Sequence, residues 1–204
     1  MLPLTLDDLI PLEEYAARRR EYFDSHRRYV DRYRRVRIGP RLTLVFENRQ
    51  TLWFRIQEIV RIARLVDPVE VNQELDLYNR LLPGPNLLQA ALLITISDET
   101  KLFEELAPFQ NIDGSHLRLC VGRQEFRSDL ISSRPEDRAI GTAHWVQFPV
   151  AAQGRAVFSD FNKRAAFVFD NGNYHHASTM SDDVRQSLLE DLNLSDRDML
   201  RAAA

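Results

Sequence analysis

An α+β fold, in which a mainly antiparallel sheet packs with helices behind a long amphipathic N-terminal helix, is what this sequence predicts. Three observations carry the prediction. From Leu12 to Tyr33, Leu12, Tyr15, Arg19, Tyr22, His26, Tyr29 and Tyr33 recur at alternating spacings of three and four, the seam of an amphipathic helix. Val36, Ile38, Leu42, Leu44 and Phe46 then share a period of two around Gly39-Pro40, which marks a short strand pair with one buried face. Asn171-Gly172 separates two further strand-like runs, and Asn-Gly suits the type I′ turn that matches strand twist.

Taken in order, Thr5 to Asp8 reads as an approach and cap, with Pro11 opening the first helix. The aromatic seam of that helix requires a covering surface, and Arg19 and His26 within it point to an interface rather than a dry core. After the strand pair, Asn48 caps a helix whose Leu52, Ile56, Ile59, Val60 and Ala63 lie at helical spacing. Glu58 falls between its apolar and basic flanks, where an ion pair is expected. Asp67-Pro68-Val69-Glu70 combines an N-cap aspartate, proline at the first helical position and glutamate at the third. Pro83-Gly84-Pro85 ends that helix and marks a hinge near 83–86 within a single domain spanning 1–204.

LLQAALLITI, apolar on both faces, predicts a central strand at 87–96. A short helix follows from Glu99 to Leu106, then strands at Leu117 to Val121, toward Phe126, and at Thr142 to Pro149. Ser133 and Glu136 carry a capping-box pattern around one helical turn. The strands on either side of Asn171-Gly172 complete the sheet. An acidic helix from Asp182 to Leu192 precedes a short one begun by Ser195.

The 204 residues suffice to bury a sizeable core, and no run of eighteen apolar residues indicates a membrane span. The opening MLPLTLDDLIPLEEY has two aspartates where a signal peptide needs a basic region and an unbroken apolar core, so a cytoplasmic location is expected. The lone Cys120 rules out an intramolecular disulfide and sits in an apolar alternation, as an inert buried thiol does. Residues 1–64 hold 14 basic and 9 acidic side chains, a net of +5, while residues 65–204 hold 13 and 21, a net of −8. Such a dipole steers an anionic partner to the N-terminal part or packs two copies head to tail.

Three constellations bear on chemistry. With Asn171-Gly172 as a two-residue loop, Phe169 faces Tyr174, Val168 faces His175, and His175 and His176 point to opposite faces. His144, one of His175 and His176, and Asp160 or Asp170 would make a two-histidine, one-carboxylate site for a single divalent metal or iron. No HExxH or CxxC supports it, and ordinary sheet histidines are the simpler reading. Glu70 and Glu74 share a helical face, but no ExxH accompanies them as a di-iron bundle requires. At the junction Glu47-Asn48-Arg49-Gln50, helix amides with Asn48 and Arg49 could hold an anion, unless Asn48 simply caps. GxGxxG, GxxxxGK and GxSxG are absent, which disfavours familiar phosphate loops and hydrolases.

LTLDDLIPLEEY, RRVRIGPRLTLVFENRQTLWFRIQEIVRI, HWVQFP and NYHH together resemble the DUF3501 family of uncharacterised bacterial proteins, over nearly the full chain. The resemblance implies a bacterial cytoplasmic protein of about this length and an association with rubrerythrin-like and iron–sulfur proteins, hence a link to redox proteins. It implies no catalytic scheme.

The expectation is therefore a non-catalytic accessory or binding protein, a homo-oligomer or one docking a protein partner through Tyr15, Arg19, Tyr22, His26, Tyr29 and Tyr33. A metal-dependent redox or hydrolytic enzyme using His144 and the 175–176 histidines is the alternative. Residues 18–41, with ten arginines against three acids, raise RNA binding as a further alternative, though arginines paired to acids within the chain explain them more simply and nucleic acid is disfavoured.

Overall fold

Two antiparallel sheets enclose the main core in a computed structural model that describes residues 1–110, 112, 114–131 and 142–202, with side chains of the last helix described through residue 193. The chain begins with a short 3-10 turn at Leu6–Asp8 and helix α1 (Leu12–Tyr33), then the hairpin β1 (Arg35–Ile38) and β2 (Leu42–Phe46). Helices α2 (Arg49–Ala63) and α3 (Pro68–Asn79) lead to β3 (Leu87–Ile94), α4 (Leu102–Leu106), β4 (Leu117–Val121), β5 (Gln124–Arg127) and β6 (Asp129–Leu130). Strand β7 (Ala143–Pro149), α5 (Ala152–Phe158), the hairpin β8 (Ala165–Asn171) and β9 (Tyr174–Thr179), and α6 (Asp182–Ala202) complete it. The fold is α+β, as predicted.

One sheet runs β1-β2-β3-β7-β6 and the other β5-β4-β8-β9. Apolar β3 is the central strand of the first, where only residues buried on both faces avoid exposing hydrocarbon. The chain passes between sheets at buried Ser128: its N–H still bonds Leu117 of β4 at 3.1 Å, while Asp129 already pairs with Gln147 of β7. Phe167 of one sheet lies 5.4 Å from Phe46 and 5.2 Å from Phe148 of the other, so the inward faces share one hydrophobic cluster. Tyr174 of β9 ties the two sheets together. Its hydroxyl donates to the Ile38 carbonyl at 2.6 Å and accepts the backbone N–H of Arg41 at 3.0 Å.

A second, smaller cluster joins Leu52, Ile56 and Val60 of α2 to Val71 and Leu75 of α3 and to Leu4. Two amides strap the N-terminal segment over it. The Gln57 side chain makes both backbone bonds of Ile10, at 3.1 and 3.0 Å, and Asn79 does the same for Leu4, at 2.8 and 2.9 Å. Helix α6 lays Val184, Leu188 and Leu192 into the main cluster.

Several expectations need correction. Asn171 pairs with Tyr174, Asp170 with His175 and Phe169 with His176, so the loop is Gly172-Asn173 rather than Asn171-Gly172. Gly172 has φ +58° and Asn173 does not share a positive φ, which is the II′ arrangement, with the free glycine placed first. Helix α6 runs unbroken through Ser195. The sequence reading missed α5, a seven-residue helix without a side-chain cap and with Gly154 inside, where the ring of Phe126 occupies the space a Cβ would need. The single turn expected at Ser133 to Glu136 lies outside the described residues.

Candidate functional site at the junction of α1, α2 and α6

The aromatic seam of α1 from Tyr15 to His26 is covered by α2 of the same chain. Tyr15, fully buried, donates its hydroxyl to Glu58 at 2.9 Å, and the same carboxylate takes Arg19 at 2.8 Å and Arg61 at 3.1 Å. Burial works against the charge on Glu58, yet hydrogen bonds from Arg19, Arg61 and Tyr15 outweigh it and hold the carboxyl down to about 2. Burial and then the bond to Glu58 push the Tyr15 phenol up. Tyr22 stacks on Tyr15 at 5.2 Å, both rings meet Trp53 edge-on, and His26 lies flat on Phe54 at 3.9 Å. Burial, with Arg55 and Arg35 nearby, depresses His26 to about 4, so the imidazole is neutral. The ion pair expected of Glu58 is thus made with Arg19 and Arg61, whereas the aliphatic stripe of α2 gave no role to Trp53 and Phe54, the two rings that meet the seam.

At the strand-to-helix junction Glu47, Asn48 and Arg49 are each committed within the chain. Glu47, 1% exposed, accepts from Thr51 and from Arg55, the latter at 2.7 Å, and Arg55 in turn stacks over Trp145 at 5.4 Å. Asn48 caps α2, its oxygen accepting the N–H groups of Gln50 and Thr51, both at 3.0 Å. Arg49 turns away to bind Asp8 at 2.6 Å and pins the N-terminal strap. The anion proposed for Asn48 and Arg49 thus has counterparts within the chain, an amide oxygen and the Asp8 carboxylate.

Beside this junction, the last turn of α1, the start of α2 and α6 enclose a cleft of about 460 Å³. Its floor is a buried ion pair, Arg34 at 2% exposure and Asp191 at 4%, in which the guanidinium donates two bonds to the carboxylate. Arg34 Nε also donates to Tyr29 Oη at 2.8 Å, and Asn48 Nδ2 donates to the same oxygen at 2.9 Å. With two donors already on it, Tyr29 Oη keeps its own hydrogen for an acceptor, and no described residue supplies one. Tyr33, Glu190 and Asp183 form the rim. Asp191 was legible in principle. It follows Val184 and Leu188 on the buried stripe of α6, and a carboxylate there requires a buried partner.

The metal candidates are dispersed. His175 Nδ1 and Asp170 Oδ1 meet at 2.5 Å across the β8–β9 pair, the result of the corrected register. His176 instead lies against Tyr174 with ring centroids 4.4 Å apart. His144 sits on β7, paired with Leu92 of the first sheet, and Asp160 binds Lys163 at 3.1 Å beyond α5. Among the described residues no three histidine, cysteine or carboxylate groups come together as metal ligands. Cys120 is half-buried on β4, and burial pushes its thiol up. No described helix is long and apolar enough to cross a membrane.

The sequence matches a protein family across residues 3–192, described as "Protein of unknown function (DUF3501)". The chain belongs to the DUF3501 family. It is similar to the crystal structure of a novel protein of unknown function from Burkholderia pseudomallei K96243, with 28% identity, a TM-score of 0.85, and coverage of 94% of this chain and 100% of that one. None of the curated proteins matches the chain.

Proposed function

We propose a non-catalytic accessory protein that docks through α1, the surface it takes being the acidic part of a second copy of this chain. The observation that supports this is the outward flank of α1. Arg20, Arg27 and Arg28 are exposed there at spacings of seven and eight, and Arg20 and Arg28 have no ion pair among the described residues. The opposite side of the helix is fixed to α2 by aromatic stacking and the Glu58 cluster, so the arginines are presented on a rigid rod. Net charges of +5 in residues 1–64 and −8 in residues 65–204 favour a two-fold pairing in which each basic flank meets the other copy's acidic part.

Sedimentation equilibrium at low and high salt tests it. A dimer that weakens with salt, and that Arg20→Glu/Arg27→Glu/Arg28→Glu abolishes, is expected; a monomer at every concentration, or a dimer unmoved by the triple variant, overturns it. Salt-sensitive binding of mixed RNA by a monomer lost in the same variant would replace this reading with RNA recognition. The rival metal-enzyme reading draws only on the His175–Asp170 contact. Stoichiometric divalent metal in purified protein, lost in both His144→Ala and His175→Ala, would favour it.

A further inference from the structure

We propose that the cleft between α1, α2 and α6 binds a small organic cation, an ammonium compound that also carries a neutral oxygen acceptor. The inference is independent of the docking face. It starts from which polar groups of the cleft are already satisfied. Arg34 directs its guanidinium at Asp191 and Tyr29, and the Gln50 and Thr51 amide hydrogens in the first turn of α2 are taken by the Asn48 oxygen. The two positive features of the cleft, a guanidinium and a helix N-terminus, are therefore spent within the chain.

The negative features are not spent to the same degree. Among the described residues Glu190 takes a hydrogen bond only from the neutral amide of Gln186, at 3.1 Å, and Asp183 shares a single oxygen with exposed Arg32 at 2.9 Å. The C-terminal end of the 22-residue α1, which bears the negative end of the helix dipole, opens on the same space. An anion would meet these groups with no free cation among the described lining residues to hold it. An ammonium group placed by Glu190 is matched in charge.

Tyr29 supplies the second half of the specificity. Its hydroxyl hydrogen has no acceptor among the described residues, because Arg34 and Asn48 fill the oxygen from the protein side. A ligand oxygen that accepts this hydrogen would be fixed relative to the ammonium group, on a donor that cannot rotate away without losing two buried bonds. The space of about 460 Å³ admits a compound the size of a monosaccharide.

A matched set of probes differing chiefly in charge tests the inference: glucosamine, glucose and glucuronate at pH 6.5, followed by the backbone amides of Gln50 and Ser187 and the side-chain amides of Asn48 and Gln186 in two-dimensional NMR. Saturable shifts with glucosamine are expected, with glucose at least about tenfold weaker, since a charge-assisted contact contributes more than a neutral one. Glu190→Gln, at an exposed position that does not hold the fold, should weaken glucosamine about tenfold toward the level of glucose. Tyr29→Phe should weaken both sugars. Shifts of the same amides by glucuronate or glucose as strong as those by glucosamine overturn the charge assignment. An absence of shifts with all three, or glucosamine binding indifferent to Glu190→Gln, overturns the site.

Discussion

A methyl group on Gly39 would stand 2.5 Å from both His176 Cγ and Tyr174 Oη, at a backbone φ of +67°. Gly39→Ala should therefore cost about 2–4 kcal/mol, through left-handed strain and collision with the ring cluster that joins the sheets. The urea midpoint measures it, and Gly84→Ala, where the nearest atom is a flexible leucine methyl at 3.3 Å, should be milder. At the cleft floor, Arg34→Met or Asp191→Leu alone leaves a buried charge without its partner and should cost about 3–5 kcal/mol. The double variant should recover most of that loss, because two apolar side chains need no compensation. A double-mutant cycle reads the coupling, and additive losses would show that the two side chains do not act as a pair.

At the scale of elements, the pairing of α1 with α2 should give the protein a stepped sensitivity to acid. His26 is held near 4 in the folded state against 6.5 for a free imidazole, so the unfolded chain binds the extra proton and stability falls as pH drops from about 6.5 toward 4. Glu58, held at about 2 against 4.5, contributes stability above 4.5 that is lost as pH falls toward 2. Urea titrations across pH should show both windows. His26→Phe, which keeps the stack on Phe54, should remove the first and leave the second. Local periodicity told that α1 had an aromatic side needing cover, but Trp53 and Phe54 lie beside the aliphatic stripe of α2, so which surface did the covering could not be read from either helix alone.

For the whole molecule, the question is whether the α2–α3 cluster and the two-sheet core unfold as one. The two tryptophans separate them, since Trp53 packs against the smaller cluster and Trp145 lies on β7 of the larger sheet. Fluorescence of Trp53→Phe reports the sheet and that of Trp145→Phe the helices. A single domain gives coincident midpoints once each variant is compared with its own circular-dichroism transition; two separated midpoints would place the hinge at 83–86 between independent units. Ile56→Ala and Leu92→Ala, both fully buried, should each cost about 2–5 kcal/mol in that one transition.

By itself the sequence determined the elements whose signals are local: the seam of α1, the alternation through β1 and β2, the Asn48 cap, and the doubly apolar run that became central β3. These follow from steric and solvation preferences that act within a few residues. Only tertiary structure decided that Gly172 rather than Asn171 opens the last turn, that Gly154 could sit inside a helix because Phe126 fills its space, and that Arg34 would find Asp191 at a sequence separation of 157. A buried charge specifies that a partner must exist but not where along the chain it lies, since the burial that makes the pair necessary arises only when the elements have packed.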